Sequence, residues 1–418
     1  MMNRYFSILS IILFTCATLC GCNEDEMLNP KEEFVDIPIP TEGYIFFNTS
    51  KVTTRGKDMT GRLEANFRVI GYRYPSTWTA AEPLATQVRR ITYADNEGNI
   101  VYGDETNIDN YMGVFYGTAG NATPTSQEVK YANGVHTYEP LQSWQKNLSY
   151  AFFAWYPSNL VVNPGNNGEY NEEHYGNPFI TYTLPPEGNR DARKQMYDVV
   201  TACEIDYTKA AGGTTVTFNR MQHRLAALDI KANSLINADA LKDSYTEFKN
   251  VSSDAAVTVD ITNISLTLNG IKTNVKIPLN TEDATEKMEA TGSMNKTYTD
   301  FQGATGIKYY LVENADGTYT VLDPTSLVGD DELLILIPQE EDITAAIQVD
   351  YTVKCGGISK PFSFNTANPQ TKVDITINGL ESGYYHYLLL NITKSGLFVE
   401  AKKNTSWVNQ EKVEHTFE

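Results

Sequence analysis

Apolar residues along this chain recur at every second position in short runs, the period of β-strands. Val257, Val259 and Ile261 alternate with polar neighbours, and Ile264, Leu266 and Leu268 then alternate in the opposite phase. A one-residue phase change inside one strand predicts a β-bulge between Ile261 and Ile264. Ile347, Val349, Tyr351, Val353 and Cys355 alternate strictly, whereas Leu333 to Ile337 is continuously apolar and closed by Pro338. The first pattern predicts a half-buried strand and the second a strand buried on both faces. Tyr309 to Glu313 and Thr318 to Leu322 flank Asp316-Gly317, and Ile91 to Tyr93 and Ile100 to Tyr102 flank Asp95 to Asn99, so each pair predicts a hairpin. Further strands are expected at Tyr44–Phe47, Phe67–Tyr72, Leu148–Tyr156, Phe179–Leu184, Val216–Phe218, Tyr384–Ile392, Leu397–Val399 and Val413–Phe417. One helix is expected, Ala238 to Lys249, with Leu241, Tyr245 and Phe248 at helical spacing. Many short strands between polar turns predict an all-β sandwich architecture. The break at Gly212-Gly213 divides it into two domains of similar size, 43–212 and 213–418.

The N-terminus follows another rule. Arg4 precedes an apolar stretch, Ser7 to Leu19, which is shorter than the ~20 residues a bilayer requires. Leu19-Cys20-Gly21-Cys22 follows and resembles a bacterial lipobox, which makes residues 1–21 a lipoprotein signal peptide and Cys22 the lipidated first residue of the mature chain. Two or more acyl chains hold a protein stably on a membrane. Asn23 to Glu26 is similar to the acidic tag of Bacteroidetes lipoproteins exported to the outer face of the outer membrane, and it also reads as a solvated linker. Residues 22–42, charged and then broken by Pro38 and Pro40, form a flexible tether.

Charge and composition exclude more than they assign. A formal net charge of −19 repels nucleic acid and anionic lipid surfaces. Beyond Cys16, Cys20 and Cys22, Cys203 and Cys355 remain, which is no disulfide framework, and two reduced thiols are expected. The histidines (His136, His174, His223, His386 and His415) form no spaced ligand pair, and His223 reads as structural. There is no P-loop, GxSxG elbow or GxGxxG motif. Asp330-Asp331-Glu332 and Glu340-Glu341-Asp342 read as solvated turns at strand ends, with paired glycosidase carboxylates as the alternative. Trp78, Trp144, Trp155 and Tyr156 offer faces for sugars, but aromatics of a sandwich usually serve its core. No catalysis, cofactor or metal is expected.

The order of these pieces resembles the fimbrillin family, the lipoprotein pilins of Bacteroidetes type V fimbriae. A lipobox is followed by a strand ending in Val52-Thr53-Thr54-Arg55-Gly56 and by the strand Phe67 to Tyr72. Trp144 then leads into the aromatic strand that stops at Tyr156-Pro157. Gln195 to Val200, Val216 to Ile230 with His223, and Trp407 before the last short strand complete the match. The resemblance implies two transthyretin-like β-sandwich domains in tandem. It also implies a structural or tip subunit of surface fimbriae, serving adhesion, with other pilin subunits and a surface glycan or protein receptor as partners and the outer membrane as anchor. Assembly is implied to follow proteolysis after an arginine beyond the first strand, with Arg55 matching best and Arg62 next. Residues 44–52 are then the strand removed, and the groove is refilled from the next subunit, for which residues 397–418 are the expected donor. A cell-surface glycan-binding lipoprotein that does not polymerise is the alternative.

Overall fold

The computed structural model describes residues 43–49, 63–75, 91–94, 100–102, 126–144, 148–163, 178–209, 215–219, 221–280, 287–314, 317–329, 332–366 and 375–403. Cys22, Arg55, Arg62, Trp78, His174, Trp407, His415, the Gly212-Gly213 break and the expected strand Val413–Phe417 lie outside them.

The strand pattern folds as its periodicity demands. Phe67–Pro75, Leu148–Tyr156 and Val200–Tyr207 form the centre of a six-stranded sheet, flanked on one side by Gln222–His223 and on the other by Gln127–Ala132 and Val135–Thr137. Its middle strand buries Tyr150, Phe152, Phe153 and Trp155, which is why the run tolerates no polar alternation. The hairpin Gln127–Thr137 turns on Asn133-Gly134, both at positive φ (52° and 79°), the two-residue turn that matches strand twist.

Beyond residue 225 the chain builds a five-stranded and a six-stranded sheet. In one, Ala226–Ser234 pairs in parallel with Tyr385–Thr393, and Gly396–Lys403 closes the edge. Leu334–Leu336 joins this sheet, wholly buried as its unbroken apolar run predicts. In the other, Val257–Ile271 lies antiparallel to Ile343–Cys355, with Ile358–Asn365 outside. The register between the two long strands shifts between Ile261 and Asn263, the bulge expected from the phase change. The buried faces of all these sheets belong to one contiguous core.

A smaller four-stranded sheet joins early to late sequence: Phe179–Thr183 pairs with Asn274–Pro278, between Val162–Asn163 and Glu289–Thr291.

Three readings change. The expected helix Ala238 to Lys249 is helical over Ala238–Ser244, capped by Asn237, and then breaks. Tyr245 is extended (φ −137°, ψ 126°), and a 3₁₀ turn Thr246–Phe248 follows. The break still buries Leu241 and Phe248, and it lets Tyr245 stack edge-on to Phe362. A second short helix, Arg190–Lys194, escapes the period because it buries Ala192 and Arg193 rather than an apolar stripe. Leu397–Val399 is no spare strand: it lies within Gly396–Lys403, laddered to Tyr385–Thr393 over its whole length.

Candidate functional site

The first strand is the feature on which the expected function turns. It spans Phe46–Thr49 and pairs in parallel with Thr215–Phe218, Phe46 opposite Thr215 and Thr49 opposite Phe218. The two form a sheet of their own. Just before it, Ile45 N–H donates to Gln142 O (2.8 Å) and Trp144 N–H to Gly43 O (2.9 Å).

Alternation sends Ile45, Phe47 and Thr49 inward, all buried, and leaves Tyr44 and Phe46 about half exposed. Phe47 enters an aromatic socket: its ring centroid lies 5.4 Å from Phe152, 5.5 Å from Tyr138 and 6.0 Å from Phe218. Because Tyr44, Ile45, Phe46 and Phe47 are all apolar, hydrophobicity alone does not choose which face turns inward. Two polar contacts fix the choice. The Tyr138 hydroxyl donates to Ile45 O (2.8 Å), and Leu63 N–H donates to Thr49 Oγ1 (2.8 Å). Burial pushes the Tyr138 hydroxyl up to about 12, against a smaller lowering from the Gln142 N–H it accepts, so it stays a donor at every physiological pH.

The two segments Gln195–Val200 and Phe218–Leu225 meet next to this socket. His223 Nδ1 lies 2.8 Å from the buried Asp198 carboxylate, Val200 opposes His223 in the sheet, and Arg224 N–H donates to Val199 O (2.8 Å). His223 thus ties its strand, Gln222–His223, to the segment leading into Val200–Tyr207, a structural role.

The other candidates disperse. Trp144 and Trp155 are wholly buried, with Trp155 Nε1–H donating to Leu160 O (3.0 Å), so neither offers a face to a sugar. Cys203 and Cys355 are buried thiols not joined to each other. Glu341 is exposed and paired with Lys272 (2.9 Å), as a solvated cluster predicts. Glu332 departs from that reading: it is buried and receives a fork from Arg190 Nε and Nη2 at 2.8 and 2.5 Å. Burial raises its carboxyl, but the hydrogen bonds and charge of Arg190, with Arg193, more than offset this and hold it below the usual range. Among the described residues no three metal-ligating side chains converge, and no helix is long and apolar enough to cross a membrane.

With the sheets, the socket and its plugging strand in place, the chain is an all-β protein of several sheets around one core. The fold is that of a fimbrial protein from Bacteroides vulgatus: the two structures superpose with a TM-score of 0.52 over 87% of this chain and 99% of that one, at 16% identity. A fimbrial assembly protein from Parabacteroides distasonis (TM-score 0.28, 11% identity, 86% of this chain and 98% of that one) is also similar. So is the tip fimbrial protein Mfa3 from Porphyromonas gingivalis (TM-score 0.26, 9% identity, 87% of this chain and 100% of that one). No protein-family model and no curated protein matches the sequence.

Proposed function

We propose that this chain is a structural or tip subunit of surface fimbriae, anchored through Cys22 and assembled by strand exchange with other pilin subunits in the service of adhesion. It is read as two transthyretin-like sandwiches in tandem. One observation carries the reading: the first strand fills an aromatic socket yet is laddered to one other strand over four residues, with a single antiparallel bridge, Tyr44 to Ser143, just before it. A strand held so briefly is separable, and its loss leaves an apolar groove and unpaired backbone groups that only another strand satisfies. The likeness to a fimbrial protein of Bacteroides vulgatus supports it. Arg55, six residues beyond the strand, is the proposed cut. The incoming strand is assigned to residues 404–418, since Gly396–Lys403 is engaged within its own subunit.

The deciding experiment is N-terminal sequencing of the protein recovered from surface fibres. A new terminus at Gly56 in fibres, with Arg55→Ala held as a Cys22-anchored monomer, is the expected result. Fibre incorporation of Arg55→Ala with an uncut terminus would overturn the exchange mechanism.

A further inference from the structure

Residues 178–194 fall in sequence between two strands of the six-stranded sheet, Leu148–Tyr156 and Val200–Tyr207, and dock along their length on late sequence. At the outset, Leu279 N–H donates to Pro178 O (2.9 Å) and Leu184 N–H to Thr273 O (2.9 Å), bracketing the ladder between Phe179–Thr183 and Asn274–Pro278. The buried Lys296 ammonium then donates to Pro185 O. At Gly188 the backbones almost touch: a Cβ there would lie 2.0 Å from Thr297 O, and Thr299 N–H donates to Gly188 O (3.1 Å). Finally the helix Arg190–Lys194 inserts Arg193. This side chain is wholly buried, donates to Gly188 O (3.3 Å), to Thr299 O and to Asp300 O (2.9 Å), and lies 4.3 Å over the Phe301 ring. Glu332 closes the arrangement, bonded to Arg190 and 3.6 Å from Arg193. Met196 and Val199 continue the common core that Ile180, Tyr182 and Leu184 already line, and Val200 joins the first sheet.

We propose that residues 178–194 are a strap that makes the regions before and after residue 212 yield to force as a single unit. Apart from the packing of the common core, the six-stranded sheet, whose last strand is Gln222–His223, connects to the later sheets through Arg224 and Leu225, along which tension applied at the chain ends passes. The strap runs in parallel with that stretch. Its strand ladder resists shear, and its buried Arg193 guanidinium, bonded across to the Thr299 and Asp300 carbonyls and facing the Glu332 carboxylate, cannot part from them without leaving polar groups unpaired in the interior. This holds whether or not the chain polymerises.

Single-molecule pulling of the full chain through handles at its two ends tests the strap. The intact chain should rupture in one event, and the double variant Gly188→Ala/Glu332→Gln, which forces the backbones apart and removes the carboxylate, should rupture in two. Two events in the unmodified chain, or one in the folded variant, would overturn the proposal. Should that variant fail to fold, native-state amide exchange of the unmodified chain decides. The amides of Ile180 and Tyr182 should exchange as slowly as those of Phe152 and Leu266. Exchange faster by more than about 100-fold would mean that the strap opens locally and couples nothing.

Discussion

Phe47 and His386 show how much a single side chain holds. Phe47 is buried among three aromatic rings, so Phe47→Ala should cost about 3–5 kcal/mol in urea unfolding. Phe46→Ser, on the exposed side of the same strand, should change stability by about 0.5 kcal/mol or less. Equal losses at the two positions would mean that the strand does not have the phase described. His386 is buried beside its cross-strand partner Lys403, whose ammonium is paired with Glu381, and its Nε2 accepts the Glu381 N–H at 3.4 Å. Burial first, and the Lys403 charge second, push its pKa from 6.5 down to about 4. The unfolded chain therefore binds more protons between those two values. Its contribution is complete above about pH 6.5 and is lost as pH falls toward 4, on the order of 3 kcal/mol in total. His386→Gln should flatten that acid limb, read as unfolding midpoint against pH.

At the scale of elements, the sequence was most legible where one rule acted alone. Strict alternation placed Ile343–Cys355, a continuous apolar run placed Leu334–Leu336, and the phase change placed the bulge. The bulge makes an unusual prediction. Deleting Thr262 leaves Ile261 and Ile264 in a single phase, opposite Tyr351 and Val349, so the ladder heals. Deleting Ser265 instead turns Leu266 and Leu268 from the core to solvent. Circular dichroism and urea titration should find the first variant folded and the second not. Where rules competed, legibility failed. Tyr245 breaks a helix whose spacing looked sound, because packing on Phe362 outweighs propensity. The Asn133-Gly134 turn joins strands of six and three residues whose alternation, Val129 and Tyr131 on one side and Val135 on the other, is too short to stand out in the sequence. Glu332 looked like part of a solvated cluster because its partners, Arg190 and Arg193, lie about 140 positions earlier, beyond any local pattern.

For the whole molecule, the candidate site was legible as a strand but not as a socket. Phe47, Tyr138, Phe152 and Phe218 are spread over more than 170 positions, on both sides of the Gly212-Gly213 break, and the fold alone assembles them. The same scale decides how to test the C-terminus. Removing residues 397–418 would strip Gly396–Lys403 from its sheet and with it the buried Leu397, so loss of assembly would report misfolding. Removing residues 404–418 is the cleaner cut. It should leave the unfolding free energy from urea titration within about 0.5 kcal/mol of the parent while abolishing fibre growth, scored by surface fibre counts. Fibres of normal length would assign the donor strand elsewhere.

The parallel pairing of Phe46–Thr49 with Thr215–Phe218 also sets an order of events. The chain is made from its N-terminus, so the strand that plugs the socket is among the first pieces of the fold to emerge, and its ladder partner appears roughly 170 residues later. At synthesis rates of about 5–20 residues per second, an apolar tetrad, Tyr44 to Phe47, waits on the order of 10 seconds without its mate. Whatever shelters it during that interval, a chaperone or the chain itself, acts on the nascent protein long before any neighbouring subunit can.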